Sequence, residues 1–196
     1  KAYSIGEVKL NASDHMGAPD VDFNLVSDQR DLDRLVIGTR KMIQMRTSAA
    51  LNEAVSDIFP ISYSDRARKA AVYSTYNKIQ TWIGGQVMDA SGPLRRYLIK
   101  TLVADGPSIE DMMEDQSVME DWIRNAAIGH FHASCSMRMG AADDKLAVTD
   151  PSARVYGIAG LRVCDASIMP AVPCANTNFP TIMVGEKVAA MILAEG

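Results

Sequence analysis

The chain has 196 residues, 47% of them apolar and 22% charged, with a formal net charge of −4. This is the make-up of an ordinary globular protein able to bury a real core. Acids and bases are interspersed, so no basic stripe is available to follow a phosphate backbone and nucleic acid is excluded as a natural partner.

No apolar run reaches the roughly 18 residues that a membrane span needs, and no signal peptide opens the chain, so the expected setting is cytoplasmic. The first residue is Lys1 rather than methionine, which reads as a piece of a longer product. The three cysteines, Cys135, Cys164 and Cys174, are an odd number at wide spacings. That argues against a disulfide scaffold or a structural zinc site and for reduced thiols.

In chain order, residues 5–10 (IGEVKL) alternate apolar and polar as a half-buried strand does. A turn-rich stretch follows over 11–20, and 21–26 (VDFNLV) alternates again. A helical pattern then starts after Ser27 or Asp28, either of which can cap it. Its apolar positions are Leu32, Leu35, Val36 and Ile43. Residues 52–107 show no sustained period, although Tyr73, Tyr76, Trp82 and several methionines lie there. The run 107–127 reads as one helix, acidic at its start and carrying Arg124 near its end, as the helix dipole favours. Residues 153–170 read as a strand, a glycine turn and a buried strand. The run 178–196 reads as a helix with Pro180 in its first turn, where the missing amide costs nothing. It is apolar nearly all round, which predicts burial on most sides, with Gly185 allowing another backbone to approach.

Chemistry concentrates in NAAIGHFHASCSMRMG (125–140). His130 and His132, two apart, share a face if the segment is a strand, but further ligands for a metal are missing nearby. A core histidine beside a surface histidine is the plain alternative. Cys135 lacks a marked third group for a Cys–His nucleophile pair, so an inert thiol is expected. The stretch DASIMPAVPCANTNFPT (165–181) joins the buried strand to the N-terminus of the last helix. In open α/β folds ligands dock at such a junction, and the helix start favours an anion.

The segments HASCSMRMG and DPSARVYGIAGLRVCDASIMPAVPCANTNFPTIMVGEKVAAMI together resemble the C-terminal signature of the glucose–methanol–choline (GMC) oxidoreductases, FAD-dependent enzymes that oxidise alcohols. The stretches PDVDFNLVSDQRDL, HASCSMRMG and ANTNFPT are most similar to the furfural-type and bacterial aryl-alcohol oxidase branches. The resemblance implies an α+β architecture: part of an α/β FAD-binding domain plus part of an antiparallel-sheet substrate domain. Residues 1–124 would belong to the substrate domain and 125–196 to the FAD domain. The GxGxxG fingerprint that the family carries near its N-terminus is missing here, so an N-terminal FAD-binding portion of the same enzyme is the expected partner, alongside a small alcohol substrate.

Carried over by position, the resemblance makes His132 and Asn176 the catalytic pair. It makes Phe131, Asp165, Ala166, Thr177, Asn178 and Pro180 flavin contacts, and His130 and Phe131 pocket residues. Where the family has Gly-Thr, this chain has Cys135-Ser136. Cysteine restricts the backbone where glycine would not, while Ser136 keeps a hydroxyl. The implied reaction takes a hydride from the alcohol carbon to flavin N5, with His132 as the base and Asn176 holding the substrate oxygen. Alternatives on the same scaffold are a quinone-linked dehydrogenase, a choline- or pyridoxine-type oxidase and a hydroxynitrile lyase. A non-catalytic subunit is the alternative of another class.

Overall fold

The computed structural model describes residues 2–11, 13–14, 16–46, 48–52, 54–62, 68–69, 71–129 and 132–195. They fall into two compact units, Lys1–Leu25 with Gly129–Gly196, and Val26–Ile128. The architecture is mixed: mostly helix, with one small antiparallel sheet.

The two alternating stretches at the N-terminus pair as a short hairpin, β1 (Glu7–Lys9) against β2 (Asp20–Asp22), with Val8 opposite Val21. Their side chains are all exposed in this structure rather than half-buried. A side chain at Gly6 would sit 2.1 Å from the Asp22 carbonyl oxygen, so only glycine lets the two backbones approach there.

In the unit Val26–Ile128, helix α1 (Gln29–Arg46) starts where Asp28 caps it. The Asp28 Oδ1 accepts the Arg30 amide at 2.9 Å, and the Arg30 side chain and amide hold the Asp28 carboxyl below its ordinary range. Leu32, Val36 and Ile43 turn inward, whereas Leu35 stays exposed. Among the described residues, α2 (Ala49–Asn52), α3 (Thr75–Ala90) and α4 (Gly92–Leu98) follow, the last running into a π-helical turn, Ile99–Val103. No residue of α3 is buried, and Tyr73, Tyr76 and Trp82 are all exposed. The apolar residues of this stretch therefore do not share one core-facing stripe, which is why no period is legible there.

The run 107–127 is not a single helix. It breaks at Asp115 (φ −119°, ψ 112°) into α5 (Ile109–Glu114) and α6 (Gln116–Ala126). The Asp115 Oδ1 takes the Ser117 amide at 2.8 Å, a local side-chain alternative to continuing the helix. Met112, Met119 and Ile123 from these two helices complete the core with Val26 and α1. Val26 is β-branched yet left-handed (φ 58°). Burial holds it there, together with Arg124, whose Nη1 donates to the Val26 carbonyl at 3.0 Å.

In the other unit, the expected strands of 153–170 shrink to single bridges, Thr149 with Val155 and Arg154 with Arg162. The glycine turn between them is present, with Gly157 and Gly160 at φ 78° and 76°. In place of the second strand, Asp165 caps a 3₁₀ turn, Ala166–Ile168. The segment 135–139 lies along that turn. The amides of Cys135, Met137 and Met139 donate to the carbonyls of Ala166, Ser167 and Ile168 at 3.3, 3.0 and 2.8 Å.

Helix α7 (Asn178–Glu195) closes the chain, with Pro180 in its first turn. Only Val184 and Val188 of this helix are buried, against Ala153, Ile168 and Met169. Phe179 and Leu193 are about four-fifths exposed, at 80% and 82%. Burial on most sides is thus not observed, because one stripe suffices to meet one layer of core. A Cβ at Gly185 would meet nothing within 4 Å, so no close backbone approach occurs there among the described residues. No described helix is long and apolar enough to cross a membrane.

Candidate active site

The site is assembled from two loops, both within the unit that contains α7. The 135–139 ladder fixes where the chain leaves His132, and the last residues before α7 meet the imidazole. His132 Nε2 lies 3.3 Å from Asn176 Nδ2, and His132 Nδ1 lies 2.8 Å from Thr177 Oγ1. His132 is half-buried, Asn176 exposed and Thr177 buried. A polar edge thus faces outward over a supported interior.

The approach to α7 explains this placement. Asn176 folds back on the backbone, its Oδ1 accepting the Asn178 amide at 3.0 Å, as asparagine does in Asx turns. The carboxamide nitrogen is thereby directed at the imidazole. Thr177 occupies the cap position of α7, its carbonyl accepting the Thr181 amide at 2.9 Å. A capping hydroxyl takes the second or third helical amide, and the third residue of α7 is Pro180, which has none. The Thr177 hydroxyl bonds to His132.

Of the residues expected at the site, His132, Asn176, Thr177 and Asn178 converge within one hydrogen-bonded cluster. Pro180 stands in the adjoining first turn. Ala166 is a step removed: its carbonyl receives the Cys135 amide and its side chain packs on the core. Asp165 is exposed, its carboxylate accepting the Ser167 amide at 2.8 Å and also the Ser167 hydroxyl. His130 and Phe131 lie outside the described residues.

Cys135 adopts φ 72°, the left-handed conformation that its glycine-replacing position demands. Its Sγ lies 3.5 Å from Ser134 Oγ. All three cysteines are free thiols. Among the described residues no group of three or more metal-ligating side chains forms. The direct bond from Thr177 to the imidazole was not legible as such. Its one sequence signal is a proline three positions after a threonine at a helix start.

Chemically, the cluster offers a basic ring nitrogen beside an amide donor. The start of an 18-residue helix, bearing partial positive charge, adjoins them. Asp165 is the one acid between positions 165 and 181, and its carboxylate is engaged by Ser167. Such a donor set suits an electron-rich or anionic ring edge.

A family model described as GMC oxidoreductase matches residues 2–185. The 5-(hydroxymethyl)furfural oxidase of Methylovorus sp. (strain MP688) is 37% identical over 195 residues, which is 100% of this chain and 30% of that protein. An oxygen-dependent choline dehydrogenase of Stenotrophomonas maltophilia (strain R551-3) is 46% identical over 80 residues, 41% of this chain and 14% of that protein. Among solved structures, a fungal aryl-alcohol oxidase superposes with a TM-score of 0.62 at 21% identity, covering 97% of this chain and 23% of its own. The chain thus spans less than a third of the length of the relatives it matches.

Proposed function

Because the chain belongs to the GMC oxidoreductases, we propose that it forms the catalytic C-terminal portion of an FAD-dependent oxidase of primary alcohols, furanic or aromatic. Residues 1–124 serve the substrate domain of the α+β fold and 125–196 the FAD domain. An N-terminal portion of the same enzyme supplies the remaining FAD site. The furanic or aromatic class is favoured by the furfural oxidase, which aligns along the whole of this chain, whereas the choline dehydrogenase aligns along 41% of it.

The single observation that carries the reading is the meeting of His132 Nε2 and Asn176 Nδ2 at 3.3 Å. These side chains are 44 positions apart in sequence, and both stand at the start of α7. The donor set fits a flavin: an amide and an imidazole stand together beside the positive start of α7. When bound, the flavin supplies the two-electron acceptor for a hydride.

The chain's own residues do the rest. In the substrate complex the alcohol O–H takes the place of the Asn176 N–H on the Nε2 lone pair, and His132 Nε2 accepts its proton as the hydride leaves the carbon, giving an aldehyde. Asn176 donates an N–H to the same oxygen, which becomes more negative as its proton departs. Its Oδ1 is held by the Asn178 amide, so its role toward substrate is that of a donor. Thr177, Asn178 and Pro180, at the start of α7, would help hold the ring.

The test is anaerobic mixing of the full-length holoprotein with a panel of alcohols while the flavin absorbance is followed. Bleaching by furanic or benzylic alcohols is expected, together with a loss of about 10² to 10⁴ in rate for His132→Ala. Normal bleaching in that variant overturns the assignment. An unchanged spectrum with cyanide release from a cyanohydrin would point to lyase chemistry instead.

A further inference from the structure

We propose that Thr177 is a positioning residue that sets the tautomer of His132. Its hydroxyl oxygen accepts the Nδ1 proton and so leaves the Nε2 lone pair as the basic face. This rests on the reading of His132 as the base.

Three hydrogen bonds carry the inference, and they admit one consistent orientation. The Asn178 amide is a donor and can do nothing else, so the Asn176 atom 3.0 Å from it is the carboxamide oxygen. The other end of that carboxamide is then the NH₂ group, 3.3 Å from His132 Nε2. An NH₂ opposite an N–H would be a donor facing a donor, so Nε2 carries the lone pair. A neutral imidazole has one ring proton, which therefore sits on Nδ1 and points at Thr177 Oγ1, 2.8 Å away. Reversing any one of the three bonds forces a mismatch at another.

The hydroxyl also suits the return step. Once Nε2 has taken a proton, the imidazolium still needs an acceptor at Nδ1, and Thr177 supplies a neutral one. A carboxylate there would hold the imidazolium more tightly and slow its discharge, whereas a hydroxyl orients the ring without trapping the proton. Pro180 removes one of the two amides that a capping hydroxyl takes, and the Thr177 hydroxyl meets His132.

The test uses full-length holoprotein with ¹⁵N-labelled histidine imidazoles, the His132 signals being assigned by their loss in His132→Gln. At a pH where the ring is neutral, Nδ1 is expected in the protonated range and Nε2 in the unprotonated range. Thr177→Val, equal in shape, is expected to move population toward the Nε2-protonated form and to lower kcat/KM by about 10- to 100-fold, with Thr177→Ser restoring both. A protonated Nε2 in the unaltered protein overturns the proposal, as does Thr177→Val with unchanged kcat/KM. Should Thr177→Val fail to fold, the unaltered protein's spectrum and the serine variant still decide. A His132→Ala enzyme with normal turnover would sink the base reading alone, since the ¹⁵N pattern reports the tautomer independently of activity.

Discussion

At Cys135 two demands on one residue conflict. The position needs a left-handed backbone, φ 72°, and the side chain is half-buried and packed against the core of its unit. A residue with a Cβ in that conformation costs about 1 kcal/mol relative to glycine. Cys135→Gly is therefore expected to be more stable than Cys135→Ala by ~1 kcal/mol in denaturant titrations of the full-length protein. The alanine variant keeps the strain and loses the thiol, so the comparison isolates the backbone. Equal midpoints would show that the loop relaxes around the side chain. At Asn176 the expected effect is chemical. Asn176→Asp replaces the N–H beside His132 Nε2 with a fixed negative charge, which disfavours charge build-up on substrate oxygen and on a reducing ring alike. The rate of anaerobic flavin bleaching should fall, and an unchanged rate would remove Asn176 from the mechanism.

Helix α7 is tied down at both ends. Its N-terminal approach bonds to His132, and at its C-terminus Glu195 receives Arg154 at 2.6 Å and also Arg162. An acid at a helix C-terminus opposes the dipole, and the two guanidinium groups reverse that penalty. The hydrogen bond from Arg154 holds the Glu195 carboxyl below its ordinary value of 4.5. The sign follows: a carboxyl easier to ionise in the folded state stabilises it above that value, and the contribution is lost as pH falls through the lowered one. Glu195→Gln should thus lower the melting temperature slightly at pH 7 and make no difference in strong acid. A deficit that persists in acid would mean that the ion pairs are not its source. In the N-terminal hairpin, Gly6→Ala should disrupt the pairing of β1 with β2, since 2.1 Å to a carbonyl oxygen leaves no room for a methyl group. Faster amide exchange at Val8 and Val21 would report it.

Among the described residues there are two cores that share no residue, one around Leu32 and Met119 and one around Ile168 and Val188. Leu32, Met119 and Ile168 are each 1% exposed or less. Truncating any of them to alanine should cost about 2–5 kcal/mol. The damage should be regional: Met119→Ala should raise hydrogen exchange across 26–128 before it does so around His132, and Ile168→Ala the reverse. Uniform loss of protection in both variants would show that the two cores open as one.

The helices of 29–46 and 178–195 and the glycine turn near 157–160 were legible from the chain alone, whereas the histidine–asparagine pairing was implied only by the family resemblance. Each legible element rests on local rules: a cap and a periodic stripe, or a residue free to take positive φ. The break at Asp115, the reduction of two strands to single bridges and the open faces of α7 were not. These depend on which partner meets which surface, and periodicity records only that a face is apolar. The sequence by itself determined that an asparagine and a threonine lead into the last helix; that an imidazole should join them was implied only by the family resemblance. Only the tertiary structure decided which nitrogen faces which group, because that depends on three hydrogen bonds closing at once across 44 positions of chain.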